Sequence, residues 1–391
     1  MQTNSTPRNT PAREALREAS SSGEASSFPP VLAKEQQLSA IGRVKEDQPH
    51  AAANLDALRA LAVLLVLFDH VADTIAHKST FSIHPYDWAV GRLGVLLFFV
   101  HTSLVLNLSM QRLRSSGWSL MQAFFIRRAF RLFPLSIVCV LAVVTLHVPA
   151  MPWEDYVWKG WGNLLSNLAL TTNLTFSRPL LGPLWSLPIE AQMYVTLPFI
   201  FLALRFVNRR VVLILVIWML ALGCAVLQPR LSDRLNVIGF SPFFISGVVA
   251  FVLADRVKGT FSGLYWLPFL IFLLGVYLAI ATALNDMYNV PLQAAFCLCV
   301  GLAIPRFQQS KQPLLNSVSH QIANYSYGIY LFHCIAIWFG CFVLAKESPL
   351  TQWLVAISTL SMATYACFHL IEKPAINYGA RLSSRLSRNR R

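Results

Sequence analysis

The hydrophobic positions of this chain fall into ten long apolar blocks separated by short polar stretches. Most blocks run for about 18 to 25 residues, the helix length that crosses roughly 30 Å of bilayer hydrocarbon. The pattern therefore predicts an all-α polytopic membrane protein, a bundle of about ten transmembrane helices. The predicted spans are 55–76, 88–110, 132–149, 184–204, 211–228, 237–254, 262–284, 287–304, 321–345 and 350–372.

The remaining segments are polar or only moderately apolar. Residues 1–50 are rich in Ser, Pro, Glu, Ala and Arg, which predicts a disordered cytoplasmic tail. Residues 54–375 form the predicted membrane domain, and 376–391 a basic cytoplasmic tail. Segment 150–183 is aromatic and broken by glycine. It predicts an interfacial or re-entrant helix, with an eleventh span as the alternative.

Charge sets the predicted orientation. With the N-terminus inside, the inside segments hold 24 Lys and Arg residues and the outside loops hold six. This bias predicts that both termini are cytoplasmic. Charged residues make up 13% of the chain, against about 25% in a soluble domain. We expect an integral multi-pass protein of the plasma membrane (the inner membrane in bacteria), in contact with membrane lipid and without a nucleic-acid partner.

The seven cysteines all lie in apolar blocks, where they are typical of small buried hydrophobic residues. Cys297 and Cys299 are two positions apart, which is too close for the usual Cys-x2-Cys zinc motif. The sequence therefore predicts neither a disulfide framework nor a metal site.

Two ionisable residues, Arg59 and His70, lie eleven positions apart in the first apolar block. On a helix this spacing puts both side chains on one face, roughly 16 Å apart along the axis. Ionisable groups inside a membrane helix are costly and mark functional sites. We predict one cavity wall, with His70 as a base and Arg59 as a binding group. The alternatives are a packed His70 and an Arg59 that snorkels to the headgroups.

Three arginines, Arg127, Arg128 and Arg131, lie in the second inside loop at the predicted mouth of the third span. Residues three or four positions apart share a helix face, and guanidinium groups bind phosphate in bidentate fashion. The cluster therefore predicts a phosphate-binding inner mouth. A plain positive-inside anchor is the alternative.

A carboxylate, Glu190, lies near the outer end of the fourth span, in LWSLPIEAQMY. A buried carboxylate needs a partner, and its neighbours offer hydrogen-bonding groups. We predict a catalytic or orienting role for Glu190 and substrate contacts for Trp185, Ser186 and Tyr194. A structural ion pair is the alternative.

Two further candidates lie in the ninth span, in NYSYGIYLFH, where Tyr330 offers a hydroxyl and His333 an imidazole at mid-membrane. We predict substrate contacts for both, with simple packing as the alternative. His369 and Glu372, at the end of the last span, are predicted to be interfacial.

Six motifs, in chain order, resemble those of the acyltransferase-3 family of integral membrane O-acyltransferases across most of 54–375. The family has Arg-x10-His, Gly-x-x-Gly-Val with Phe-Phe, Arg-Arg-x-x-Arg-x-x-Pro, Trp-Ser-Leu-x-x-Glu-x-Gln-x-Tyr, Ser-Tyr-x-x-Tyr-Leu-x-His and Glu-x-Pro. The matching residues are Arg59, His70, Gly91, Gly94, Val95, Phe98, Phe99, Arg127, Arg128, Arg131, Pro134, Trp185, Ser186, Leu187, Glu190, Gln192, Tyr194, Ser326, Tyr327, Tyr330, Leu331, His333, Glu372 and Pro374. Each motif is weak alone, and the shared order makes the set specific.

The resemblance implies an acyl-CoA donor, most often acetyl-CoA, that arrives from the cytoplasm. It implies an acceptor hydroxyl on a surface or exported glycan or on a glycolipid. In this interpretation the arginine cluster holds the coenzyme A phosphates, and His70, Arg59 and Glu190 are catalytic. The chain departs from the family at Thr102 and Ser103, where Ser-Gly is usual, and at Ala60, where Gly is common.

Two other classes of function use the same residues. A secondary transporter of a small polar solute would also need intramembrane charges, although 55–204 and 211–372 show no convincing internal repeat. A non-catalytic scaffold protein would tolerate substitution of Arg59 and His70. The acceptor, the acyl chain length and the oligomeric state stay open at the sequence level.

Overall fold

The computed structural model is a helical bundle in which each of the ten predicted spans is helical over most of its length. The all-α polytopic prediction is confirmed. The residues that the structure describes are 53–78, 87–113, 117–151, 154–155, 158–232, 236–254, 256–257 and 259–388. The tail predicted at 1–50 lies outside them.

Thirteen α-helices occur in the described part of the chain. They are α1 (Ala53–Lys78), α2 (Asp87–Arg112), α3 (Gly117–Leu146), α4 (Gly160–Leu168), α5 (Thr172–Thr175), α6 (Leu187–Arg205), α7 (Arg210–Leu231), α8 (Asn236–Ala254), α9 (Trp266–Ala283), α10 (Val290–Ala303), α11 (Pro313–Trp338), α12 (Pro349–Cys367) and α13 (Lys373–Arg388). Short 3-10 turns occur at Gly182–Trp185, Gly263–Tyr265 and Ile304–Arg306, and π-helical turns at Phe339–Val343 and Phe368–Glu372. Strand β1 (Ala150–Met151) pairs antiparallel with β2 (Glu154–Asp155).

Within the described residues, eight helical segments are long and apolar enough to cross a membrane. The protein is therefore an integral multi-pass membrane protein. The eight do not include α1, which carries charged residues along its length, or α10, which has 14 residues. Prolines interrupt the patterns of α6 and α10, yet both helices form. Pro188 and Pro291 fall in first turns, where the missing N–H has no helical partner to lose.

Helix α3 starts earlier than the sequence predicted. The stretch containing the three arginines was assigned to a loop, and this boundary was wrong because the helix begins at Gly117. Leu120 and Phe124, one turn apart, are both buried and continue the apolar face of the span toward its N-terminus. The arginines therefore lie within a 30-residue helix.

Segment 150–183 forms no eleventh span among its described residues. Helix α4 has nine residues and reaches only about 14 Å, less than half the hydrocarbon thickness. The Gly182–Trp185 turn then leads directly into α6. This architecture fits the interfacial or re-entrant prediction.

Helix α1 lies between α2 and α11. A Cβ atom at Gly94 of α2 would lie 2.5 Å from the carbonyl oxygen of Ala62, so only glycine permits this close helix contact. Helix α11 runs parallel to α1: Asp56 bonds His320 at 2.8 Å near one end, and Lys78 donates to the Cys341 carbonyl near the other. We refer to these as the Asp56 end and the Lys78 end of the bundle.

The basic C-terminal segment is helical as far as Arg388. Helix α13 packs along α3, where the rings of Phe130 and Tyr378 are 5.2 Å apart. Gly379 of α13 sits against the Phe130 side chain. Residues 389–391 lie outside the described part.

Candidate active site

A cavity of about 100 Å³ opens between α1, α2, α3, α6 and α11. Seven of the predicted functional side chains, from distant parts of the sequence, line it. The predicted residues that line it are Arg59, Arg128, Arg131, Ser186, Glu190, Tyr194 and Tyr330. Tyr327, His101 and Phe98 complete its polar and aromatic wall.

The charge in and beside the cavity is dominated by guanidinium groups. Arg59, Arg128 and Arg131 line it, against the carboxylates of Glu190 inside and Glu372 behind. The Nε–H groups of Arg59 and Arg128 are buried and have no hydrogen-bond partner among the described residues. Buried donors are normally satisfied, so unpaired donors on two arginines that line the cavity favour an anion as the missing partner.

Arg131 forms an ion pair with Glu372, whose side chain is only 1% exposed. Glu372 was predicted to be interfacial, and this was wrong because the π-helical turn after α12 directs it into the bundle. Its position inside the last apolar block was the available signal, since a carboxylate there needs a cationic partner.

Glu190 is held by a hydrogen bond donated by the Tyr194 hydroxyl, one helical turn along α6. The pair shares the cavity with Arg59, at the level of the arginine cluster. The sequence predicted Glu190 near the outer end of the fourth span. In the structure Glu190 lines the cavity and His70 does not, and the 3-10 turn at Gly182–Trp185 leads directly into α6.

Tyr330 closes the cavity toward the Lys78 end. Its hydroxyl donates to the Pro183 carbonyl at 2.8 Å, and because tyrosine has one O–H, Ser186 donates to Tyr330 at 2.7 Å. These two hydrogen bonds join α11 to the turn before α6. We call Tyr330, Ser186 and Pro183 the roof of the cavity.

Replacing Tyr330 by phenylalanine is expected to destabilise the fold by about 1–3 kcal/mol, because it leaves the buried Pro183 carbonyl without its donor. Thermal unfolding of the purified protein measures this. Tyr265→Phe is the matched control, since Tyr265 is 61% exposed. Equal unfolding temperatures for the two variants would contradict the assignment of the roof.

His70 does not line the cavity but packs against His333 on the far side of the roof, with ring centroids 4.7 Å apart. The His70 Nδ1 lies 3.0 Å from the Val66 carbonyl, and the His333 Nδ1 lies 2.8 Å from the Tyr330 carbonyl. A carbonyl only accepts, so each Nδ1 carries a hydrogen and each neutral ring presents its lone pair on Nε2. The His333 Nε2 is buried and has no hydrogen-bond partner in the part of the chain that the structure describes.

The same pair belongs to a group with metal-ligand spacing. The ligand atoms of His70, His333 and Cys334 lie within 4.8 Å of one another, a donor set that suits a soft divalent ion. The backbone contacts of both Nδ1 atoms resemble those of ligating histidines. The prediction of no metal therefore stays a prediction, which elemental analysis of the purified protein tests.

Two more predicted site residues, besides His70 and His333, lie away from the cavity. Arg127 turns to the other side of α3, where its Nε donates to the Ser383 hydroxyl of α13 at 2.8 Å. Trp185 packs on Phe240, with ring centroids 5.5 Å apart. Helical spacing predicted that Arg127 and Arg131 share a face. In the structure Arg127 contacts α13, whereas Arg131 lines the cavity.

Comparison with protein families gives one match over most of the chain. An acyltransferase-3 model, described as an acyltransferase domain, matches residues 52–372. Nodulation protein 10 of Rhizobium leguminosarum bv. viciae is 24% identical over 366 residues, covering 85% of this chain and 95% of that protein.

Two other similar proteins carry peptidoglycan names. Peptidoglycan O-acetyltransferase OatA of Listeria monocytogenes is 29% identical over 188 residues, 44% of this chain and 28% of OatA. YrhL of Bacillus subtilis, named as a candidate peptidoglycan O-acetyltransferase, is 25% identical over 378 residues, 85% of this chain and 56% of YrhL. This chain thus spans only part of both proteins. No solved structure matches the chain.

Proposed function

Since the chain belongs to the acyltransferase-3 family and is a membrane O-acyltransferase, we propose that its donor is cytoplasmic acyl-CoA, with acetyl as the acyl group. The acceptor in this proposal is a hydroxyl of a surface or exported glycan or of a glycolipid. The names of OatA and YrhL support the glycan class. Family membership also decides against the transporter and scaffold alternatives.

The observation that carries the donor assignment is the buried, unpaired Nε–H of Arg59 and of Arg128. Three guanidinium groups face two carboxylates around one cavity, which leaves an excess of positive charge. A phosphate-bearing donor supplies the missing acceptor oxygens. The excess of basic residues in the loops on this side supports a cytoplasmic Asp56 end.

The size of the cavity limits which part of the donor enters. Pockets that enclose a whole drug-sized ligand measure about 300–1,000 Å³, and this one measures about 100 Å³. We infer that the narrow acyl-pantetheine arm enters while the nucleotide stays at the mouth. The thioester then reaches His70 only when the roof hydrogen bonds of Tyr330 open.

His70 is the proposed base. Its Nε2 takes the proton of the acceptor hydroxyl as the oxygen attacks the thioester carbonyl carbon. The carbon–sulfur bond breaks, and the thiolate leaving group takes the proton from the His70 imidazolium. The products are an O-acyl ester and free coenzyme A. His333 holds the His70 ring by an edge-to-face contact. Arg59 and Glu190 orient the acyl-pantetheine arm of the donor on the cavity side of the roof.

Sealed vesicles containing the purified protein test the function. Acetyl-CoA labelled in the acetyl group is supplied on the side of the Asp56 end, and glycan acceptors are enclosed on the other side. Label in an alkali-labile ester on the acceptor is the expected result. Movement of a solute without acylation, or label that never leaves coenzyme A, would contradict the proposal.

Replacing Arg128 by glutamine is expected to weaken coenzyme A binding about tenfold to a hundredfold, the range for loss of a hydrogen bond to a charged group. Arg127→Gln is the matched control, because Arg127 is the neighbouring residue but bonds Ser383 instead. Isothermal titration with coenzyme A measures both. Equal losses in the two variants would mean that the arginines act only as a diffuse positive field.

A further inference from the structure

Arg92 of α2 is a further arginine within the membrane-spanning helices, and the proposed reaction does not use it. Its guanidinium carbon lies 5.2 Å from the centre of the Phe240 ring and 5.3 Å from that of Tyr288. Its Nε donates to the Gln293 side chain at 3.3 Å. Neither of the two ion pairs found among the described residues includes it. A cation between two rings, with no ion-pair partner in the described part of the chain, is poised for an anionic ligand.

The position of Arg92 puts it beside the proposed acceptor chemistry. The preceding residue, Gly91, donates its N–H to the Asp69 carboxylate at 3.0 Å, and Asp69 is the neighbour of His70 on α1. Arg92 therefore lies at the depth of His70, on the Lys78 side of the roof. One Asp69 oxygen accepts this backbone hydrogen bond, and no ion pair joins Asp69 to the Arg92 guanidinium among the described residues.

The surroundings of Arg92 are anchored. Tyr288 lies on the turn between α9 and α10, where the neighbouring Met287 carbonyl accepts from Tyr277 at 2.6 Å and from Gln293 at 3.3 Å. Tyr288 is 46% exposed and Phe240 is 8% exposed. The Tyr288 ring thus faces the outside, while the buried Phe240 ring packs against the guanidinium. Stacking keeps the planar N–H fork of arginine aligned for bidentate bonds to a carboxylate.

We propose that Arg92, Tyr288 and Phe240 form an acceptor subsite for an acidic glycan, in which Arg92 binds a sugar carboxylate and Tyr288 packs against the sugar ring. This inference rests on the proposed function, because it supplies the chemical class of the acceptor. A ligand at this subsite also explains why the charged Arg92 side chain lies at this depth in the membrane, which packing alone would not require.

Equilibrium binding to the purified full-length protein tests the subsite without depending on catalysis. The probes are a galacturonate oligosaccharide and the same oligosaccharide with its carboxylates converted to primary amides. We expect the acidic probe to bind about tenfold or more tightly than the amide, the range for a hydrogen bond between charged groups. Arg92→Gln should abolish the difference by weakening only the acidic probe.

Two variants keep the result interpretable. Tyr288→Leu, on the exposed turn, should weaken both probes because it removes the platform and leaves the charge. Arg112→Gln, at the exposed far end of α2, should change neither. The subsite would be overturned if the unaltered protein bound the acidic probe no more tightly than the amide probe, or did not bind the acidic probe at all. A preserved acid preference without any acyl transfer would instead reject the proposed function and leave the subsite standing.

Discussion

Replacing His70 by alanine is expected to lower acyl transfer by about 10²–10⁴-fold, the usual loss when a general base is removed. Coenzyme A binding should stay near its original value, because the guanidinium groups lie on the other side of the roof from His70. Steady-state transfer of labelled acetyl groups, together with coenzyme A titration, separates the two effects.

The matched control is His77→Ala, which removes an exposed imidazole from the same helix. Glu190→Gln tests the rival base, since the Glu190 carboxylate is the one that lines the cavity. If the His70 variant kept full transfer and Glu190→Gln lost it, Glu190 would be the base and the reaction would take place on the cavity side of the roof. Tyr330 would then be a simple structural residue.

Removing the Glu372 carboxylate with alanine is expected to cost about 2–3 kcal/mol of unfolding free energy, because it leaves the partly buried Arg131 guanidinium without its anionic partner. The Arg131 side chain that stays behind is 21% exposed and lines the cavity, so water replaces part of the lost interaction and the cost stays below that of a fully buried pair. Denaturation in mixed micelles, followed by tryptophan fluorescence, measures the change. Glu347→Ala, on an exposed turn, should be close to neutral.

The double variant Arg131→Met with Glu372→Met separates stability from function. Replacing both partners by apolar groups of similar volume is often neutral or stabilising, so we expect much of the stability to return. Coenzyme A binding should stay weak, because Arg131 is one of the three cationic groups at the cavity. Recovery of binding together with stability would show that Arg131 serves the fold alone.

The positions of the helices were largely predictable from the chain. A membrane helix must satisfy every backbone group internally and needs a long apolar run, so hydropathy carries most of the information. The start of α3 was missed because the arginines at 127, 128 and 131 follow its first turns, although Leu120 and Phe124 of those turns are buried. An apolar face within a charged stretch is visible only once a neighbouring helix covers it.

The candidate site was partly predictable as well. Arg59, Glu190 and Tyr194 were identified because polar groups in apolar blocks are costly. Their grouping was not predictable: Arg127 faces α13, Glu372 faces Arg131, and the roof lies between Arg59 and His70. Helical spacing gives the face that residues on one helix share, but not the partner that each face meets.

The sequence by itself determined the membrane character, the helix positions and the identity of the charged residues, because these follow from local energetic cost along one chain. Tertiary structure alone decided which charges share a cavity and which are separated by the Tyr330 roof. It also revealed Arg92 between two rings that lie about 150 and 200 positions away in the chain. Such contacts depend on how helices distant in sequence pack, and no local pattern records them.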